Sequence, residues 1–273
     1  MYHFQKMKSA LKEISTFVQK QIYACTYGIA LLALILITHW WYPLEGIYRY
    51  DFLFLCALAL KIILLVCHQE SKSEFVMILL FHFSGILMEV FKTSPEIGSW
   101  TYPEPFMIGI AGAPFFAGFM YNAVGSYIAR SWELFYLRFK NYPPIWMTVI
   151  TVIAIYINFF THHFWYDVRY IILFIIFLLY GQTVIYYRIR EKDRKMPMLV
   201  FFSGITLLIW LAENLGTFGN VWLYPNQQEH WELVSPEKIL SWFLLMLLCF
   251  ILVSLVHPLK QFKAVEPKSK SHQ

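Results

Sequence analysis

The sequence predicts an all-α, polytopic membrane protein of about eight transmembrane helices, arranged as two tandem four-helix repeats. Three observations carry that expectation. Hydrophobic residues make up 59% of the 273 and charged residues only 14%, whereas soluble domains average roughly a quarter charged. Apolar stretches near the ~20 residues that cross ~30 Å of hydrocarbon recur eight times along the chain. Short motifs from the first half also return in the second at a near-constant offset.

Taken in order, residues 1–21 place Phe4, Met7, Leu11, Ile14 and Phe17 at three- and four-residue steps, with Lys6, Lys8, Lys12 and Lys20 between them. That pattern predicts an amphipathic helix lying on an anionic membrane surface. The first apolar run follows this polar lead and is long enough to span, so it does not read as a cleavable signal peptide. A single transmembrane domain, 22–256, follows. Its first unit, about 22–130, holds spans near 23–41, 52–66, 75–91 and 106–129. The second, about 145–256, holds spans near 145–160, 170–187, 198–215 and 239–256. Residues 257–273 form a basic tail. In the fourth span, "GIAGAPFFAGF" sets small residues at close-packing intervals around Pro114, which reads as a kinked, tightly packed helix. Lys61 falls inside the second span and Gln182 near the matching point of the sixth. The four cysteines contain no CxxC pair, which argues against a disulfide or zinc framework.

Lys and Arg near span ends are enriched in cytoplasmic loops. Seventeen of the 22 fall on the side of the N-terminus, and Arg49, Lys92, Arg169 and Lys238 fall on the other. The split predicts a plasma-membrane protein with both termini cytoplasmic. The net charge of +5 is then a topology signal and calls for no nucleic-acid partner. The partners expected are membrane lipids, and no oligomeric state is specified.

"THWWYPLEGIYRY" from Thr38 is echoed by "THHFWYDVRY" from Thr161. His39 and His162 are offset by 123, Arg49 and Arg169 by 120, and Glu89 and Glu213 by 124. Trp100, Tyr102 and Pro103 return as Trp222, Tyr224 and Pro225 at an offset of 122. Two copies of a four-span unit share one orientation, as in parallel-repeat transporters. "FSGI" at Phe83 and Phe202 is offset by 119, so an insertion shifts the register of the third and seventh spans.

Because these motifs all fall on the non-cytoplasmic side, they predict one outward-facing cavity. Carboxylates within spans are costly and mark function by default. Glu89 and Glu213 are therefore the candidate acid/base pair, with His162 and His39 as catalytic histidines that tune or relay protons. His82, two turns before Glu89, together with Trp100, Tyr102, Trp222, Tyr224, Asp167 and Arg169, forms the candidate substrate-binding set. The bland reading of Glu89 is an interfacial pair with Lys92, and that of the tryptophans is an aromatic belt. His162, His163 and Asp167 could serve as metal ligands. HExxH and the histidine-rich patterns of membrane di-iron enzymes are absent, so no metal and no cofactor is expected.

With "FHFSGILMEVFK", "GSWTYPEP", "FFAGFMYNAVGSY", "THHFWYDVR" and "LAENLGTFGNVWLYPNQQEHWELV", the chain resembles the bacterial membrane proteins grouped as domain of unknown function 817, over about residues 38–257. The resemblance implies a multi-pass bacterial membrane protein and no particular reaction. The paired glutamate-then-aromatic loops look distantly like the repeat-built membrane carotenoid cyclases. The functional expectation is a membrane-embedded enzyme acting on a lipid or isoprenoid-like substrate through paired carboxylates. A small-solute or lipid transporter built from parallel repeats is the alternative. That reading draws on Lys61, Asn122, Ser126, Arg130 and Gln182 as a polar path.

Overall fold

The computed structural model describes residues 2–67 and 72–257. The tail expected at 258–273 lies outside the described residues. The protein is mostly helical, with 66% of its residues in helices. The helices are α1 (Tyr2–Ala24), α2 (Thr26–Trp40), α3 (Arg49–Val66), α4 (Lys72–Lys92), α5 (Phe116–Leu134), α6 (Ile145–Thr161), α7 (Arg169–Tyr180), α8 (Met198–Phe218) and α9 (Glu237–Val256). The strict all-α expectation is corrected by two small sheets. One is a hairpin of β1 (Gly109–Ile110) and β2 (Ala113–Pro114), and the other joins β3 (Arg138–Lys140), β4 (Val184–Arg188) and β5 (Asp193–Pro197) in the order β3-β4-β5.

Three helices, α4, α8 and α9, are long and apolar enough to cross a membrane, and a fourth span results if α1 and α2 count as one. Those two meet at Cys25 with a bend of 66°. Met7, Leu11, Ile14, Val18 and Ile22 form an exposed apolar stripe along α1. The other four expected spans do not qualify. In α3 the run is broken by Arg49, Asp51 and Lys61, and in α5 by Gly118, Asn122, Gly125, Ser126 and Arg130. α6 and α7 have only 17 and 12 residues. Exposed Ile, Leu, Phe and Val nonetheless cover the outer faces of α3, α6, α7 and α8, more contiguous apolar surface than a soluble monomer carries.

Two expected spans change outline. The sixth, 170–187, is helical only to Tyr180. After Gly181 the chain turns into β4, whose "VIYYR" is β-branched and aromatic and pairs with both β3 and β5. In the fourth, Pro114 does not kink a helix. It ends a hairpin whose two loop residues, Ala111 and Gly112, have φ of 47° and 81°, the positive values that a two-residue hairpin loop requires.

Helix α5 runs through the centre of the bundle and is interlocked with α4. A Cβ at Gly118 would lie 2.5 Å from His82 Nδ1, and one at Gly125 2.9 Å from Phe81 Cε2. Small residues at these positions let the two helices approach closely. One end of the bundle carries the three-stranded sheet, tied down by Arg138 and Arg188 on Asp193, Lys20 Nζ on the carbonyls of Leu134 and Arg188, and Arg194 on Glu13 at 2.7 Å. Its interior is filled by Phe81, Trp132, Phe139, Tyr180, Phe202 and Phe250. The opposite end carries the connecting loops and the site.

Candidate functional site

The loops at the second end are built around the N-terminus of α3. Arg49 donates to Thr38 Oγ1 (3.0 Å), the Ile35 carbonyl (2.9 Å) and the Gly219 carbonyl (2.7 Å), and it pairs with Glu104 at 2.5 Å. Asp51 accepts the backbone N–H of Met107 and of Ile108 (2.8 Å). The Tyr50 hydroxyl donates to the Val221 carbonyl at 2.6 Å. These buried polar groups fix both WxYP segments against the helix ends. The segments pair with each other: Thr101 N–H donates to Leu223 O and Leu223 N–H to Thr101 O, each at 2.9 Å.

Beneath this pairing lies a cavity of about 450 Å³. Glu89, near the C-terminal end of α4, and Glu213, near that of α8, both line it, and both are 3% exposed. Each carboxylate is held by aromatic donors. Glu89 Oε2 accepts from Trp100 Nε1 (2.8 Å) and the Tyr102 hydroxyl (2.7 Å), while Oε1 accepts from the Tyr121 hydroxyl (2.8 Å). Glu213 Oε1 accepts from the Tyr224 hydroxyl, and Oε2 from Trp242 Nε1 (2.7 Å). The two cages touch. Trp100 meets Tyr224 edge-on at 6.2 Å between ring centroids, and Tyr121 lies 6.4 Å from Trp242. Burial, and then the adjacent carboxylate, raise the Tyr102 and Tyr224 phenols well above their ordinary range, so both remain donors.

A second polar group sits at the ends of α4, α6 and α7. His162 Nδ1 donates to the Asn158 carbonyl at 2.8 Å. A carbonyl can only accept, so that bond leaves Nε2 with its lone pair facing Lys92 Nζ at 3.5 Å. His163 Nε2 accepts from the same Nζ at 2.5 Å. Burial and the Lys92 charge push His163 down to about 4, and burial lowers His162 as well, so both rings are neutral acceptors. Arg169 reaches Ser241 Oγ at 3.0 Å and Asp167 at 2.5 Å. Burial opposes the Asp167 charge, but hydrogen bonds from Arg169 and Asn158 outweigh it and hold the carboxyl below its usual range. Apart from Ser99, Ser235, Glu237 and Lys238, the rest of the lining is apolar, with Leu31, Ile35, Met120, Ile155, Ile209 and Leu245 among its residues.

Of the residues expected from sequence, Glu89, Glu213, His162, Trp100, Tyr102, Trp222, Tyr224 and Arg169 share this cavity. Three do not reach it. His39 is exposed at the end of α2 and meets Trp40 and Phe218. His82 turns toward Gly118 and Phe119 at 4.7 Å, because its place on α4 faces α5. Asp167 stands behind Arg169 and orients it. Nor is Lys92 the ion-pair partner of Glu89; its Nζ goes to the two histidines instead. Sequence reasoning missed Tyr121, Trp242, Lys238, Asn158 and Ser241. The signal for the first two was present, since Tyr121 and Trp242 are offset by 121. For a metal, the Nε2 lone pairs of His162 and His163 are already directed at Lys92. At the sheet end Glu74, Glu133 and His257 bring ligand atoms within 4.8 Å of one another, but Glu74 pairs with His257 and Glu133 with Arg130.

Fold and site together define a mostly helical protein, rich in membrane-compatible helices, with a buried carboxylate chamber at one end. A family model described as "Protein of unknown function (DUF817)" matches residues 13–250, and the chain belongs to that family. It is 35% identical to the "Uncharacterized protein YoaT" of Bacillus subtilis (strain 168), over 94% of this chain and 96% of that one. No solved structure matches it.

Proposed function

We propose that the protein is a membrane-embedded enzyme that acts on a lipid or isoprenoid-like substrate, with Glu89 and Glu213 transferring protons. The observation that carries this reading is that both carboxylates line one cavity whose remaining wall is largely apolar. An ionised carboxylate offers about four acceptor sites. Glu89 uses three of them on Trp100, Tyr102 and Tyr121, whereas Glu213 uses two. Glu213 thus keeps more free capacity and is the better general acid or base. Glu89, held by three donors, is the fixed carboxyl partner opposite it, and His162, with its Nε2 lone pair toward Lys92, relays protons at the rim.

The same reading has the chain cross the plasma membrane eight times as two four-helix units, termini in the cytoplasm and cavity toward the outer face. The Lys and Arg distribution supports this orientation. Helices α2, α3, α4 and α5 correspond in order to α6, α7, α8 and α9, and Thr101 pairs with its equivalent Leu223. Helix α7 would cover only about 18 Å, a shortfall that local thinning of the bilayer accommodates.

A carrier is favoured by the two-unit architecture alone. Against it, the expected polar path does not join the cavity. Lys61 donates to Ser126 and lies over the Tyr27 ring, Asn122 is fully buried between helices, and Gln182 sits in the turn before β4. The test is a lipid profile of cells with and without the chain, followed by assay of Glu89→Gln and Glu213→Gln on whatever lipid changes. The enzyme reading expects Glu213→Gln to abolish the conversion. Conversion unchanged in both variants would sink it.

A further inference from the structure

Among the described residues, two of the three cations at the cavity rim lack an ion-pair partner. Lys92 is 4% exposed, and the partners of its Nζ are His163, His162 and the face of Phe159 at 4.2 Å. None of them is anionic. Lys238 lies over the Tyr224 ring at 4.3 Å and the Trp100 ring at 5.9 Å. Among the described residues, no carboxylate forms an ion pair with Lys92 or Lys238. Glu213 and Glu237 are close enough to act on Lys238 electrostatically, but neither lies within ion-pair distance of it. Arg169, the third cation of the rim, shares its charge with Asp167. An ammonium buried without an ion-pair partner, as at Lys92, is costly, and like charges brought together add repulsion.

We propose that Lys92, Lys238 and Arg169 form a subsite for an oxyanion, a phosphate or carboxylate group, carried by the molecule that fills the cavity. His162 and His163 accept hydrogen bonds from Lys92 and aim its ammonium, and the hydroxyls of Ser235 and Ser241 on the same wall add neutral donors. The guanidinium offers a planar pair of donors suited to such a group and the lysines offer point charges. The apolar lining next to this rim takes the tail. The substrate class is thereby narrowed to an amphiphile with an anionic head, an inference that rests on reading the cavity as a substrate chamber.

The test uses the full chain in dodecyl maltoside, whose head is neutral, with quenching of tryptophan fluorescence as the readout, since Trp100, Trp222 and Trp242 line the cavity. The probes are dodecyl phosphate, dodecanoate, dodecanol and inorganic phosphate. The anionic amphiphiles are expected to bind about tenfold or more tightly than dodecanol, with Lys92→Met and Lys238→Met each erasing that difference. Lys140→Met, at the sheet end, controls for a general charge effect and should behave as wild type. Equal binding of dodecanol and dodecyl phosphate to the wild type would overturn the proposal without any variant having to fold. Full retention of selectivity in both lysine variants would overturn it too. Binding of inorganic phosphate with the same lysine dependence keeps the subsite and assigns it to a free anion. If conversion survives both Glu→Gln changes while selectivity holds, the catalytic reading falls and the subsite stands.

Discussion

Thr101 and Leu223 exchange both of their backbone hydrogen bonds, each residue donating to the other at 2.9 Å. They are the middle residues of the two WxYP segments, 122 positions apart. This antiparallel bridge brings Trp100 of one segment against Tyr224 of the other. The bridge therefore couples the two carboxylate cages. Thr101→Pro removes one donor and leaves the Leu223 carbonyl unpaired, which should cost about 1–3 kcal/mol, whereas Thr101→Val keeps the backbone pair and should stay within about 0.5 kcal/mol of wild type, as for an exposed surface change. Thermal unfolding in detergent compares them; equal midpoints for the two variants would remove the bridge from the account.

Two glycines of α8 should respond in opposite directions to the same substitution. At Gly216 an added Cβ would lie 2.2 Å from Trp222 Cη2, while at Gly204 nothing lies within 4 Å. Replacing a helix-interior glycine by alanine removes a flexibility cost of roughly 0.5–1 kcal/mol. Gly204→Ala should thus raise the unfolding midpoint. Gly216→Ala should lower it and shift tryptophan emission, because the Trp222 ring must leave its place in the cavity wall.

The mostly helical fold and its membrane-compatible helices were legible in the sequence for physical reasons. Charges inside apolar runs are rare enough that Glu89 and Glu213 stood out, and the skew of Lys and Arg put both at one end. The outline of single elements was less legible. "VIYYRIR" is as apolar as the run before it, and a short apolar run does not distinguish helix from strand, so β4 was absorbed into the sixth span. Pro114 read as a kink because hairpin loops are usually marked by Asn-Gly or Asp-Gly, not the Ala-Gly found here. His39 and His162 matched in register, yet only His162 has a neighbouring helix end to face. What Lys92 touches depends on how α4 meets α6, and no local pattern encodes that.

The Trp242 indole is the donor whose loss isolates its carboxylate most cleanly. Trp242→Phe keeps a ring beside Tyr121 but leaves Glu213 Oε2 without the indole N–H. Hydrogen bonds to a charged group contribute about 1.5–3 kcal/mol, and the loss of stability should fall in that range. Combining Trp242→Phe with Glu213→Gln should cost less than the sum of the two single changes, since each removes the same bond. Simple additivity in a double-mutant cycle by chemical denaturation would show that the Trp242–Glu213 contact contributes nothing.

Acidification should destabilise the α4–α6 end through His163. Its ring is held down to about 4 by burial and by the charges of Lys92 and Lys238, against the pull of Asp167, whereas an unfolded histidine titrates near ~6.5. Between those values the unfolded chain binds the proton and the folded chain does not, so stability rises with pH across that window and is lost as pH falls through it. Protonated His163 can no longer accept from Lys92, and two cations then face each other. His162, lowered in the same direction, adds to the slope. His163→Gln keeps an acceptor for Lys92 without a titrating ring, so its unfolding midpoint should fall less steeply than wild type between pH 6.5 and 4. Parallel pH profiles for the two proteins would show that His163 is protonated in the fold as readily as in the unfolded chain.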